Sequence, residues 1–306
     1  MEADTKQEIR EIKNTEATQA DAKKERRLRK KEKRRKYIGI IYTILFLLAE
    51  VLIYGIIEKF VLDKLGITEE VNQLGYVLYE CAHRALFGVL AVALVKRIYH
   101  RSVSEIFSFH NSKKALRTAT GQFFFWIGLI VVHGVGCDFK YFYAPNLTVP
   151  LLLLGIVLYA LVVGFYEEIL FRSLMLDGFF FCKNQGRINR LIYAVINAAF
   201  FGVIHFTDGD VIHFLIAGVS GFVYATIYLK TRNLIIPMLL HAVYDMYTFY
   251  SVYLVYKWTP KKIEFNNTMH IVLPIVCFVV SLVILLWEEK KTKRTEENEK
   301  KLLTTQ

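Results

Sequence analysis

Apolar residues occur in long runs rather than at the spacing of an amphipathic helix or a half-buried strand. Eight runs approach or exceed the roughly 20 residues that a helix needs to cross the hydrocarbon core of a bilayer. They cover residues 37–57, 75–95, 121–138, 150–180, 189–207, 210–230, 233–256 and 269–287. None has the alternation of a membrane β-strand, and open sheets leave backbone groups unsatisfied in lipid. The pattern therefore predicts an all-α, polytopic membrane bundle of about eight transmembrane helices.

Charged residues collect outside these runs. Residues 1–36 form a basic tail, residues 37–287 the membrane bundle and residues 288–306 a second charged tail. The net charge of +11 comes from the basic tail and the short loops, and residues 23–36 directly precede the first apolar run. Such a block is typical of segments that bind anionic lipid headgroups. We therefore expect the lipid bilayer as a partner and no nucleic acid.

Lysine and arginine are enriched in alternate loops, after the second, fourth and sixth spans. Positive residues remain on the cytoplasmic side of a membrane. The pattern predicts a multi-pass protein of the cell membrane with both termini in the cytoplasm. One loop departs from this pattern, because Lys257, Lys261 and Lys262 lie on the expected outer side.

Several ionisable side chains lie inside the apolar runs, where they are costly and usually functional. The fourth span contains Glu167, Glu168 and Arg172, the fifth contains His205, and the seventh contains His241 and Asp245. Residues four apart share a helix face, so we expect Glu168 to pair with Arg172. Glu167 points about 100° away from Glu168 and is left for another role. In the second span, Glu80 and Arg84 are expected to form a structural ion pair.

Glu167, His205 and His241 would each cost several kcal/mol if they were isolated in hydrocarbon. The fourth and fifth spans form a hairpin in which Glu167 and His205 lie at similar distances from the turn near Asn184. They should therefore lie within about one helical turn of each other in height. Phe201 shares a face with His205. We expect the carboxylate and the two imidazoles to converge on one site.

Three motifs follow in order within residues 150–250, which we take as the catalytic core. They are EExxxR at Glu167–Arg172, FxxxH at Phe201–His205 and HxxxD at His241–Asp245. Together they resemble the CPBP family, which contains CAAX proteases and bacteriocin-processing membrane endopeptidases and is also called Abi. The resemblance implies hydrolysis of peptide bonds in membrane-associated or hydrophobic peptide and protein substrates. Glu167 would be the general base, His205 would hold the attacking water, and His241 would donate to the oxyanion.

The third motif ends in Asp245, where family members that process prenylated proteins have Asn. An ionised aspartate cannot donate a hydrogen bond to an oxyanion. We therefore predict that Asp245 orients His241 at the catalytic site. Glu168, Arg172 and Phe201 are predicted to support the site rather than to react.

Two imidazoles and a carboxylate are also the ligands of a catalytic zinc site. A Zn²⁺ site formed by Glu167, His205 and His241 is the alternative, and it requires another base such as Glu168. Because Glu168 is expected to pair with Arg172 and the chain has no HExxH motif, we predict a metal-free reaction without a cofactor. The four cysteines are far apart and form no CxxC pair, which gives no sign of a structural zinc site.

Two functions of other classes compete with the peptidase. One is a non-catalytic membrane immunity or scaffold protein of the same fold. The other is a transporter that uses the buried charges as a proton relay, but no span pair is broken by Gly and Pro as transporters require. The unpaired carboxylate of Glu167 favours the enzyme, because a scaffold has no need of one.

Overall fold

The computed structural model describes residues 37–66, 73–120, 122, 127–128, 149–182, 185–206, 211–258 and 267–287. Within these ranges the regular elements are all helical. The all-α prediction is therefore confirmed. The two predicted tails, the turn at Asn184 and nearly all of the predicted third span lie outside the described residues.

The helices follow the predicted spans closely. We number them α1 Tyr37–Leu62, α2 Gln73–Tyr99, α3 Val103–Ile106, α4 112–120, α5 Val149–Glu168, α6 Arg187–Ile204, α7 Val211–Thr231, α8 Ile235–Trp258 and α9 Asn267–Leu286. The last turn of α1, Glu58–Leu62, is π-helical and is followed by the short helix Asp63–Leu65. After α5 the chain continues without a break as a π-helical turn, Ile169–Leu174, and then as a 3₁₀ segment, Asp177–Phe181.

Five helices of the described part are long and apolar enough to cross a membrane. They are Tyr37–Leu62, Gly75–Tyr99, Leu154–Phe181, Arg187–Ile204 and Val211–Thr231, and a shorter apolar helix spans Val272–Leu286. A multi-pass helical membrane bundle is therefore confirmed. The count of eight crossings stays a prediction, because the third predicted span falls outside the described residues.

The core of the bundle surrounds the π-helical turn that follows Glu168. Helix α5 packs on α2 and α8, α6 packs on α7, and α7 packs on α9. Ile169, Leu170, Phe171 and Leu174 in the π-helical turn are all fully buried. Only 6% of the most apolar 18-residue stretch of α1 is buried, as expected of a helix that faces lipid. The EExxxR motif therefore lies at the centre of the bundle.

Glycine brings α5 and α8 into close contact. A β-carbon built on Gly164 would lie 2.9 Å from the Met238 carbonyl oxygen and 3.1 Å from the Ala242 nitrogen. Small residues permit such backbone approach between membrane helices. Gly164 precedes Glu168 by one turn, and Ala242 follows His241. The contact therefore sets the distance between the first and third motifs.

A second ionic cluster closes one end of the bundle. Arg101, just after α2, contacts the buried Asp177 carboxylate at 2.8 Å, and the Tyr228 hydroxyl donates to the same carboxylate at 2.7 Å. Arg232 lies 3.5 Å from Asp177. Burial disfavours the charge of Arg101, but the Tyr228 and Asp177 oxygens outweigh it and raise the pKa of Arg101 above its usual value. Asp177 therefore joins three separate segments of the chain.

Candidate active site

The structure brings the three predicted site residues together. Glu167 Oε2 lies 3.9 Å from Nε2 of His205 and 3.9 Å from Nε2 of His241. These separations are too long for direct hydrogen bonds and are of the size that one bridging water spans. Glu167 is in the last turn of α5, His205 is the residue that ends α6, and His241 lies in α8. Three helices therefore each contribute one side chain to a single point.

The site is open on one side. The His205 side chain is 25% exposed and that of Glu167 is 12% exposed, whereas Glu168 and Arg172 are fully buried. A substrate can therefore approach Glu167 from the side of His205, while the opposite side is closed by protein. The His213 ring lies 5.7 Å from that of His205, centre to centre.

Glu168 connects two of the motifs. One of its carboxylate oxygens lies 2.9 Å from Arg172 Nε, and the other lies 2.9 Å from His241 Nδ1. The expected pair of Glu168 and Arg172 is thus present. The contact with His241 was not predicted, because it joins α5 to α8 and no spacing within one helix reports it. Glu168 therefore has one charged partner in its own helical segment and one across the bundle.

Hydrogen bonds define the state of both imidazoles. His205 Nδ1 lies 2.7 Å from the Phe201 carbonyl oxygen, which only accepts, so Nδ1 carries the proton. In a neutral ring, Nε2 of His205 is then an acceptor that faces Glu167. His241 Nδ1 likewise donates to Glu168. A neutral imidazole has only one N–H, so His241 can donate from Nε2 as well only as an imidazolium. The carboxylates of Glu167 and Glu168 balance the positive charge of that imidazolium.

Phe201 lies at the centre of the aromatic packing. Its ring centroid is 4.7 Å from that of His205 and 5.8 Å from that of His241. The Arg172 guanidinium lies over the same ring at 4.7 Å and over the Tyr224 ring at 5.2 Å. A cation over an aromatic face is stabilised when it is buried away from water. Phe201 therefore contacts a residue from each of the three motifs.

Asp245 lies beside His241, as the HxxxD spacing predicts, but it makes no hydrogen bond to the ring. Its Oδ2 lies 3.7 Å from Nε2 of His241, beyond hydrogen-bonding distance. The hydrogen bond that orients His241 comes instead from Glu168, on the opposite ring nitrogen. The physical reason is that Nε2 faces the open centre of the site, and Asp245 lies at the edge of that centre with Glu167.

The donor types at the site suit zinc, but their arrangement is not that of a metal site. In the described part of the chain, no three His, Cys, Asp or Glu side chains are placed to hold a metal ion. Nε2 of His205 and of His241 point toward Glu167, so a zinc ion would have to draw the three donors together. The residues present therefore do not fit the group as they stand.

A polar cluster from the first two helices lies beside Glu167. The Tyr166 hydroxyl donates to Glu50, whose other carboxylate oxygen is 3.9 Å from His83 Nδ1. The expected ion pair of Glu80 and Arg84 is present. Sequence reasoning missed Glu50, which has no charged side chain three or four residues away inside its helix. Its position in an apolar run was the signal that could have revealed it.

Comparison with known proteins gives a family. The model described as Type II CAAX prenyl endopeptidase Rce1-like matches residues 148–247. This segment contains all three motifs and about a third of the chain, and it confirms the resemblance to the CPBP family. No curated protein and no solved structure matches the chain. At the level of the family, the match indicates a membrane endopeptidase.

Proposed function

We propose that this protein hydrolyses peptide bonds of membrane-associated or hydrophobic peptides, with Glu167 as the base that activates water. The observation that carries the proposal is the position of the Glu167 carboxylate, 3.9 Å from Nε2 of both His205 and His241. A partly buried carboxylate held between two imidazoles is the arrangement expected of a general base. The neighbouring carboxylate of Glu168 is occupied by Arg172 and His241, which leaves Glu167 for the chemistry.

The reaction needs no group beyond the side chains described. Water lies between Glu167 and His205, and the unprotonated Nε2 of His205 accepts one of its hydrogens. Glu167 takes the other proton as the water oxygen bonds to the scissile carbonyl carbon. The resulting oxyanion accepts a hydrogen bond from Nε2 of the His241 imidazolium. Glu167 then passes its proton to the amide nitrogen and the C–N bond breaks, which leaves a carboxylic acid and an amine. The acid gives its remaining proton to the amine, and a carboxylate and an ammonium are released.

Preorganised donors account for much of the rate of such reactions. Removing one oxyanion donor typically costs about 10²–10³ in turnover. The hydrogen bond from His241 Nδ1 to Glu168 orients the ring before substrate binds, and the Tyr224 ring stacks on it at 5.3 Å. Asp245 lies at the edge of the site, where it adds negative charge near His241 Nε2. Its assignment as an orienting residue is replaced here by that of Glu168.

The substrate class follows from the location of the site and from the family description. The site lies within a membrane bundle and opens on the side of His205. A peptide attached to a lipid would be held in the membrane, where it can reach a site inside the bundle. The matching family is described as a CAAX prenyl endopeptidase. We therefore propose that substrates are peptides held at the membrane by their own apolar residues or by a prenyl group. Anionic lipid headgroups would bind the basic tail at the cytoplasmic surface of the membrane.

The decisive experiment is peptide cleavage by the purified protein in lipid nanodiscs. A quenched fluorescent CAAX peptide, farnesylated or not, would be compared for the parent, Glu167→Gln and Glu105→Gln. Glu167→Gln should lower turnover by at least about 10²–10⁴, the usual contribution of a general base. Glu105→Gln is the matched control, because this exposed residue completes the capping box of α3, belongs to none of the three motifs, and can be replaced by Gln without loss of the box.

The same assay separates the alternatives. Cleavage that persists in Glu167→Gln would exclude Glu167 as the base. No cleavage of either peptide by the folded parent would favour a non-catalytic immunity or scaffold protein. Loss of activity on adding a chelator, with recovery on adding zinc, would make Glu167, His205 and His241 metal ligands. The metal-free mechanism predicts that a chelator has no effect.

A further inference from the structure

The helix that carries Glu167 changes its hydrogen-bond register immediately after Glu168. Regular α-helix ends there, a π-helical turn covers Ile169–Leu174, and a 3₁₀ segment covers Asp177–Phe181. The Met175 N–H donates to the Leu170 carbonyl, five residues back. Main-chain carbonyls at such changes need donors from elsewhere, because each buried backbone group must be satisfied. Isolated π-helical turns are rare and often occur at functional sites.

Two side chains from other helices donate to carbonyls of this turn. The Asn197 amide in α6 donates to the Phe171 carbonyl at 2.8 Å, and the Tyr99 hydroxyl at the end of α2 donates to the Leu174 carbonyl at 3.0 Å. Both donors are buried. A buried amide in an apolar span is costly unless it is hydrogen-bonded. The two donors therefore hold the turn from two sides.

The π-helical turn also begins the chain of contacts that leads to the catalytic imidazole. Arg172 lies in the turn, its Nε contacts Glu168 at 2.9 Å, and Glu168 contacts His241 Nδ1 at 2.9 Å. If the turn relaxed to regular α-helix, residues beyond it would rotate by about 100° for each residue of register. Arg172 would remain four residues from Glu168, but it would lose its place over the Phe201 and Tyr224 rings and would draw the Glu168 carboxylate away from His241.

We propose that Asn197 and Tyr99 are positioning residues that hold the π-helical turn and, through Arg172 and Glu168, set the orientation of His241. Neither residue touches the reacting atoms. Neither belongs to one of the three motifs, and Tyr99 lies outside the segment that matches the family. The catalytic consequence rests on the proposed function, whereas the structural consequence does not.

The test uses one gentle and one stronger variant in the full-length protein. Tyr99→Phe removes only the hydroxyl, and Asn197→Leu removes the amide while keeping a side chain branched at Cγ. Thr226→Val is the matched control. The Thr226 hydroxyl is also buried and also donates to a carbonyl at 2.8 Å, but that carbonyl belongs to Phe222 of its own regular helix. If Asn197→Leu does not fold, Tyr99→Phe decides.

Two measurements are made on each variant. In the cleavage assay, kcat should fall by about 10- to 100-fold, the effect of displacing a catalytic group by about 1 Å. KM should change by less than about threefold, because substrate contacts are untouched. In nitrogen-15 NMR of labelled histidine, the His241 Nδ1 resonance, assigned with His241→Gln, should shift in both variants. Thr226→Val should leave both readouts at the parent values.

The outcomes distinguish the two proposals. An unchanged His241 resonance together with a kcat within about twofold of the parent would overturn the positioning role. An equal shift in Thr226→Val would also overturn it, since the effect would then reflect general loss of packing. If the parent cleaves no peptide, the proposed function fails, and the NMR measurement alone decides whether Asn197 and Tyr99 position His241.

Discussion

Glu168 holds His241 by a hydrogen bond of 2.9 Å to the ring nitrogen that faces away from the site. The same carboxylate contacts Arg172 at 2.9 Å, so its own position is fixed before it orients the imidazole. A histidine held in this way presents its other nitrogen in a constant direction. Glu168 therefore performs the role that sequence reasoning had assigned to Asp245.

The first prediction compares these two carboxylates. Glu168→Gln should lower turnover by roughly 10²–10³, because a neutral amide no longer stabilises the His241 imidazolium and its NH2 group cannot accept from Arg172. Asp245→Asn should retain turnover to within about tenfold, because the hydrogen bond to Nδ1 is untouched and an amide can itself donate to an oxyanion. Steady-state cleavage of one peptide by both variants checks this. The reverse order of effects would return the orienting role to Asp245.

The second prediction concerns Arg172, which is fully buried. Arg172→Ala leaves the Glu168 charge without its guanidinium and should lower the free energy of unfolding by roughly 3–5 kcal/mol. Denaturant unfolding in detergent micelles measures it. The double variant Glu168→Leu with Arg172→Met should recover part of the loss, because no buried charge remains. A variant Arg172→Ala that unfolds like the parent but has no turnover would mean that Arg172 acts on the substrate.

The third prediction concerns the contact between α5 and α8. Gly164→Ala should lower the free energy of unfolding by about 1–3 kcal/mol, because its methyl group would meet backbone atoms of α8 that cannot rotate away. Gly55→Ala is the control, since a β-carbon there meets no atom within 4 Å. It should be neutral or stabilising by up to about 1 kcal/mol. Equal melting of the two variants would show that close backbone approach at Gly164 is unimportant.

The fourth prediction concerns Asp177, whose carboxylate is in contact with Arg101, Tyr228 and Arg232. Asp177→Asn leaves two guanidinium groups without their anionic partner and should cost roughly 3–5 kcal/mol of stability. Because Arg101, Tyr228 and Arg232 belong to none of the three motifs, turnover per folded molecule should stay within about twofold of the parent. Thermal unfolding followed by circular dichroism, together with the cleavage assay, tests both parts. Undiminished stability would show that Asp177 does not hold the segments together.

The fifth prediction concerns orientation, for which the charge of alternate loops is the argument. With the natural cysteines replaced, Ser112→Cys should react with an impermeant thiol reagent only from the cytoplasmic side. Thr207→Cys should react only from the outer side. Labelling of both positions from the same side would contradict the proposed topology with both termini in the cytoplasm.

Helix periodicity explains which parts of the site the sequence could predict. Pairs within one helix, such as Glu168 with Arg172 and Glu80 with Arg84, follow from spacing alone. The meeting of Glu167 and His205 followed from their equal distances along a hairpin. Contacts between helices depend on how each helix is rotated about its axis, which spacing does not report.

The residues that the sequence did not reveal all make their contacts between helices. Glu50 meets Tyr166, and Asp177 meets Arg101 and Tyr228, only across the bundle. Asn197 is not revealed by a pattern of buried charges, because its amide is uncharged. The π-helical turn has no distinct composition, so the sequence offered no reason to look for donors to its carbonyls. The rotation of each helix about its axis and the hydrogen-bond register of the π-helical turn are therefore known only from the structure.

The hydroxyl of Tyr99 and the guanidinium of Arg101 come from a part of the chain that precedes the family segment, residues 148–247, yet both contact the stretch that follows Glu168. The segment that contains the three motifs is therefore not structurally self-sufficient. A graft of that segment into a foreign bundle would carry every reacting side chain and would still lack its supports from α2. Homologues that differ in the helices before this segment would need equivalent donors. We therefore expect residues of those helices to covary with residues of the family segment.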